Sequence, residues 1–308
     1  MSLSWTAGNV RARGLVRGRA GSAVLRQCAQ AAALPDALAL LGGSAYASRL
    51  APTMDLVAAQ RAIADTLLWQ IRVLAGWLPP GGTRIAVAAA AVFERANILA
   101  RARLLADGGH EPASPFELGT LGTAWPTIRA TTSLADLHSA LRASPWGDAA
   151  AAQSTTALDD LLSASLLRRI AACAPLARDW CVVACTLIAT RVSLLERAGP
   201  DQTFRRLVAP LIGDRWSATN SLAALRDAAP RPARTILAGI DRPEELWRGQ
   251  VALAALVDAQ ARRSLTGGDH QADSVVAALA ILFVDAWRAR AALAACESGR
   301  REVFDVVA

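Results

Sequence analysis

Apolar residues in this chain recur at intervals of three and four along almost its whole length, and alternating β-branched runs are missing. A period near 3.6 gathers such residues onto one stripe of a helix, whereas a half-buried strand requires a period of two. Between Thr53 and Leu78, the residues Leu56, Ile63, Leu67, Ile71, Leu74 and Leu78 share one stripe, with Asp55, Arg61, Asp65 and Arg72 off it. "PPGG" (Pro79–Gly82) follows as a helix stop. The pattern predicts an all-α fold.

Material for a core is ample, since 53% of the 308 residues are hydrophobic and mean hydropathy is +0.28. Much of it is alanine, which favours close helix–helix contact over a bulky interior. The longest apolar runs, Trp180–Ala189 and Val276–Val284, reach only about ten residues, half of what a spanning helix requires. No charged-then-apolar leader opens the sequence, so a soluble, cytoplasmic protein is expected. Cys28, Cys173, Cys181, Cys185 and Cys296 fall within helical patterns without a C-x-x-C, as small hydrophobes of a reducing compartment do. Net charge is +7, and every basic residue is arginine. The arginine-for-lysine choice fits a GC-rich genome. The excess positive charge points to an acidic partner, a membrane surface or nucleic acid.

One order of helices occurs three times. A short leucine-spaced helix appears as "LPDALALL" (Leu34–Leu41), "SLADLHSAL" (Ser133–Leu141) and "SLAALRDAA" (Ser221–Ala229). A longer helix follows each, starting near Thr53, Thr155 and Asp241. Thr156 with Asp159, and Asp241 with Glu244, have the spacing of capping boxes. A closing helix ends each unit: Val92–Gly108, Cys181–Gly199 and Phe283–Gly299. The period is about 95 to 100 residues, which gives repeats at 1–110, 111–213 and 214–308.

These motifs resemble those of the C-type central-stalk component of prokaryotic V/A-type ATPases, whose eukaryotic counterpart is the d-type component. That family opens with an Arg-punctuated helix, a short leucine helix, a tyrosine and a leucine four residues on. "NVRARGLVRGRAG" (Asn9–Gly21) and "ALALLGGSAYASRL" (Ala37–Leu50), with Tyr46 and Leu50, follow that order. Glu94, Asn97, Leu99, Arg101 and Arg103 match the family's first closing helix, and Asp285, Arg288 and Arg290 its last. The middle closing helix departs, with Ala189 and Val192 where the family has an acid and an asparagine.

The resemblance implies a funnel of three similar helical subdomains with pseudo-threefold symmetry. Such a part belongs to the central stalk, peripheral on the inner face of the cell membrane, between the rotor shaft subunits and the membrane ring. It is not an enzyme, carries no cofactor, metal or nucleic acid, and is a monomer when isolated. Arg11, Arg13, Arg17, Arg101, Arg103, Arg288 and Arg290 are the implied partner-binding residues.

Sites of chemistry are sparse. His110 and His270 lie in Gly- and Asp-containing turns, and no His or Cys stands at metal-ligand spacing to these or to His138. Asp159–Asp160 lacks the further aspartate of an aspartate-rich motif, and no phosphate loop is complete without lysine. "GLVRGRAG" follows no strand. Trp69, Trp77, Trp180, Trp247 and Trp287 are spread as fillers between Ala-rich helices. Two other readings compete with the stalk component: a basic helical-repeat scaffold for nucleic acid or an acidic protein, and an all-α enzyme whose pocket is not visible in sequence.

Overall fold

Each stretch with a 3.6 period forms a helix, and the chain is all-α, with no strand among the described residues. The computed structural model describes residues 3–107, 114–196, 199–267, 271–302 and 304. The helices are α1 (Leu3–Arg17), α2 (Gly21–Gln30), α3 (Leu34–Leu40), α4 (Leu56–Ala75), α5 (Pro80–Asp107), α6 (Trp125–Ile128) and α7 (Leu134–Arg142). They continue with α8 (Thr155–Cys173), α9 (Arg178–Leu195), α10 (Gln202–Ile212), α11 (Leu222–Ala228), α12 (Arg231–Leu237), α13 (Leu246–Gly267) and α14 (Gln271–Ser298). None of them is long and apolar enough to cross a membrane. Two compact units result, one from Met1–Thr83 with Ala254–Ala308 and the other from Arg84–Leu253, so the chain crosses between them within α5 and α13.

The first unit is organised by α14, which packs against α1, α2, α3 and α4. Its run from Val275 to Ala289 is buried almost continuously, as expected of a helix surrounded by others. Of the α4 stripe, Ile63, Leu67, Ile71 and Leu74 are buried, whereas Leu56 in the first turn is half-buried and Leu78 lies half-buried beyond the helix end. Asp55 starts that helix by accepting from Ala58 N at 2.7 Å. The helix ends at Ala75, and Pro80 of the stop signal serves as the first residue of α5. Gly8 lies so close to Leu78 that a Cβ there would stand 2.8 Å from its Cδ2, so α1 closes onto the α4–α5 corner through a glycine.

In the second unit α8 packs against α9 and α10, and α12 lies on α9. Leu137, Leu141, Trp146, Leu162, Val208 and Trp216 belong to one apolar core. Asp160 on α8, only 5% exposed, pairs with Arg191 on α9, whose other nitrogen meets Glu196. Burial pushes the Asp160 carboxyl up; Arg191 opposes it, while Glu196 and Asp159 reinforce it, and the pKa moves from 3.8 to about 6. A carboxyl raised in the folded state binds protons there that the unfolded chain has released. Stability is therefore expected to rise as pH falls from about 6 toward about 4. Asp160→Asn should flatten this slope and stabilise the protein near neutral pH by about 1–3 kcal/mol. Urea midpoints across that range check it. A lower midpoint for the variant at neutral pH would mean that the Arg191 pair outweighs the cost of burial.

Several local expectations change. Ser154, not Thr156, caps α8, accepting from Ala157 N at 3.1 Å, and Asp159 turns instead to Arg95. Asp241 does not cap α13, because Pro243 opens a 3-10 turn (Pro243–Glu245) ahead of it. Trp180 is buried and Trp287 half-buried, but Trp69, Trp77 and Trp247 are 43%, 54% and 43% exposed. Trp69 projects from α4 on the side opposite Leu67 and Ile71, so it fills no gap. His138 is half-buried on α7, and His110 and His270 lie outside the described residues. All five cysteines are free thiols, and burial pushes Cys28 up to about 11 and Cys181 and Cys185 up to about 12.

Candidate functional site

Two of the residues matched to the closing helices, Glu94 on α5 and Asp285 on α14, are buried carboxylates 1% and 5% exposed. An ionised carboxylate is stable out of water only when donors surround it. Glu94 Oε1 accepts three consecutive backbone N–H groups, from Thr123, Ala124 and Trp125, at 2.6, 2.7 and 2.9 Å. Its Oε2 accepts the Thr123 hydroxyl at 2.5 Å and the Trp146 indole N–H at 2.9 Å. These are the free N–H groups at the start of α6, which has no side-chain cap of its own. Burial alone would raise the Glu94 pKa, but the Thr123 hydroxyl, the backbone donors and Trp146 more than offset it and hold the group below its ordinary value.

Asp285 does the same work in the first unit. It accepts from Ala20 N at 3.1 Å and Gly21 N at 2.8 Å, at the start of α2, another helix without a side-chain cap. Gly21 holds φ +78°, a left-handed conformation that glycine adopts at little cost and that turns its N–H toward the carboxylate. The Tyr46 hydroxyl donates to Asp285 Oδ2 at 2.9 Å. Burial first, then the charge of Asp285 and the hydrogen bond to it, hold the Tyr46 phenol well above its ordinary value, so it stays a donor.

The two aromatic donors are placed by one corner used twice. Ser44 Oγ donates to Leu41 O and accepts from Tyr46 N, at 2.7 and 3.3 Å. Ser144 Oγ donates to Leu141 O and accepts from Trp146 N, at 2.7 and 3.1 Å. Leu-x-x-Ser-x-aromatic thus stands at positions 41, 44 and 46 and again at 141, 144 and 146. Ser144, Trp146 and Thr123 do not stand out by residue type, and this spaced echo of the Tyr46 motif is the signal that points to the first two. The short leucine helices α7 and α11 are capped by serines instead: Ser133 accepts from Asp136 N at 3.1 Å and Ser221 from Ala224 N at 3.2 Å. On the middle closing helix α9, Ala189 and Val192 are buried and apolar.

Asn97, one turn beyond Glu94, exchanges two hydrogen bonds with the backbone of Phe116, at 2.8 and 2.9 Å. Arg288, one turn beyond Asp285, is buried and ion-paired with Asp258 at 2.9 Å. Arg262 holds the same aspartate at 2.8 Å. The other implied partner-binding arginines divide by exposure. Arg13, Arg17, Arg103 and Arg290 are exposed, while Arg11 and Arg101 are half-buried. Arg13 donates to Leu265 O in the last turn of α13, and Arg101 to Thr131 O.

Both carboxylates are buried and accept from the backbone of a helix start and from an aromatic donor, and so they fix helix starts and corners. Among the described residues no group of three or more His, Cys, Asp or Glu side chains is placed to hold a metal ion. No protein-family model matches the chain, and no curated protein matches it.

Proposed function

We propose that this chain is a non-catalytic central-stalk component of a V/A-type rotary ATPase, coupling the rotor shaft to the membrane ring. On this reading the segments 1–110, 111–213 and 214–308 are one helical module written three times and set about an axis as a funnel. The shaft seats in the central depression, and the ring contacts the wide face at the inner surface of the cell membrane. The isolated protein is a monomer without a cofactor.

The observation that carries the reading is the repeated pair of buried carboxylates. Glu94 and Asp285 stand where the family resemblance calls for an acid on a closing helix. Each joins the free N–H groups of a helix start to an aromatic donor from a Leu-x-x-Ser-x-aromatic corner. Sharing of detail at this level favours a duplicated module over chance echoes of Ala- and Arg-rich helices. It also suits a part that transmits torque, because buried charge-assisted bonds lock helices to corners. The middle module differs in having an apolar closing helix at Ala189. Docking in this reading falls to the exposed arginines Arg13, Arg17, Arg103 and Arg290. Exposed ion pairs contribute only about 0.2–1 kcal/mol each, so a broad set of them is required.

Removal of the chain from its host is expected to leave ATP hydrolysis by the catalytic head in place while ATP-driven ion uptake into membrane vesicles is lost. Purified protein added back should restore uptake, and Arg13→Glu/Arg17→Glu protein should restore less of it. Undiminished ion uptake in vesicles lacking the chain would end the proposal.

A further inference from the structure

The second unit has an open cavity of about 420 Å³ whose lining includes Arg168, Arg169, Arg178, Asp148 and Ser165. Three guanidinium groups against one carboxylate is an unusual balance for so small a space. The Asp148 charge is also divided: Arg168 lies 3.9 Å from it and Arg206 3.3 Å. Arg178 makes no ion pair among the described residues.

Arg169 is the best-placed of the three. Its guanidinium stacks over the Trp146 ring, 4.8 Å from the centroid, and Trp146 is itself fixed by its bond to Glu94. The stacking holds the arginine's plane, and its Nη1 is buried with no hydrogen-bond partner among the described residues. That nitrogen is closed to solvent and the Glu94 carboxylate acts on the same guanidinium, so an anion would meet Arg169 through the part of it that lines the cavity, where guanidinium groups outnumber carboxylates.

We propose that this cavity binds a small phosphate-bearing anion, held by Arg168, Arg169 and Arg178 of its lining. A planar carboxylate is matched by one guanidinium fork, whereas a tetrahedral phosphoryl group offers oxygens to several. The volume admits two linked phosphoryl groups, so free pyrophosphate and the terminal phosphates of a nucleotide share the required chemistry. The site stands apart from the coupling role proposed above and does not depend on it.

Titration calorimetry with pyrophosphate, ADP and succinate at low salt tests the assignment. Pyrophosphate is expected to bind saturably at one site with Kd below about 1 mM. Arg168→Ala/Arg178→Ala, both at exposed positions, should weaken it about tenfold or more, the loss expected of charge-assisted donors. Arg129→Ala/Arg231→Ala removes the same charge from exposed positions outside the lining and should leave binding unchanged. ADP binding at the same site would identify a nucleotide as the source of the phosphates, and pyrophosphate binding alone a free anion; both support the site. No saturable binding by the wild-type protein, or equal losses in the two double variants, would overturn the proposal. Succinate binding as tightly as pyrophosphate would overturn the phosphoryl assignment.

Discussion

Glutamine in place of Glu94 is expected to destabilise the second unit by about 3–5 kcal/mol, the loss that follows when a buried, fully partnered charge is replaced. The substitution keeps the volume and removes one acceptor. If the new amide oxygen takes the Oε1 position, it still accepts from Thr123, Ala124 and Trp125. The NH2 group then faces the Thr123 hydroxyl, which can turn to accept, and the Trp146 indole N–H, which cannot. Two donors are left confronting each other inside a core where Trp146 is 0% exposed. The reverse orientation is worse, because three backbone donors then meet the amide. Urea unfolding measures the loss, and adding Trp146→Phe to the variant should cost less than Trp146→Phe alone, since the orphaned donor goes with the ring. The acid limb supplies a second readout. Glu94 is held below its ordinary pKa of 4.5, so its contribution is present above that value and disappears as pH falls through the folded one. The glutamine variant should lack that component. An unchanged midpoint at neutral pH would show that the Glu94 network does not hold α6.

The helical class was legible because core-facing positions such as Ile63, Leu67, Ile71 and Leu74 declare themselves by spacing alone, and these are buried as the spacing requires. Helix starts were less legible. Ser154, Thr155 and Thr156 are three adjacent hydroxyl residues, and only the extended backbone of Ser154, φ −152° and ψ 165°, selects it as the cap. Asp159 had the spacing of a capping partner but lies within reach of Arg95 Nε at 2.9 Å, a contact 64 positions away in sequence. Near Asp241 the proline at 243 inserts a 3-10 turn, and Glu245 rather than Glu244 becomes the carboxylate bonded to Arg242. The acids at 94 and 285 could be picked out by position, but not what they do. Their partners are backbone N–H groups, which every residue but proline has, lying 30 and 265 positions away. The sequence cue that did exist was the aromatic two residues after a serine, at Tyr46 and Trp146.

At the sister site the outcome should be milder, and the reason lies in the aromatic partner. Asp285→Asn is expected to cost about 1–2 kcal/mol, the loss of charge assistance with only a part-buried backbone donor left unpaired, whereas Asp285→Ala should cost about 3 kcal/mol or more. Asparagine can keep its oxygen toward Gly21 N and turn its NH2 toward the Tyr46 hydroxyl. A phenol, unlike an indole, can exchange donating for accepting. The Ala20 N–H, which now bonds the same Oδ2 as Tyr46 at 3.1 Å, is the donor that loses its partner. That group is only part-buried, so water can replace some of the loss. Tyr46→Phe alone removes one of three donors from a charged carboxylate, and in the Asp285→Asn background it strands an amide instead, so the two changes should not add. Unfolding midpoints for the two singles and the double decide it. Equal losses for Asp285→Asn and Glu94→Gln would mean that burial, rather than the chemistry of the aromatic donor, sets the strength of these two locks.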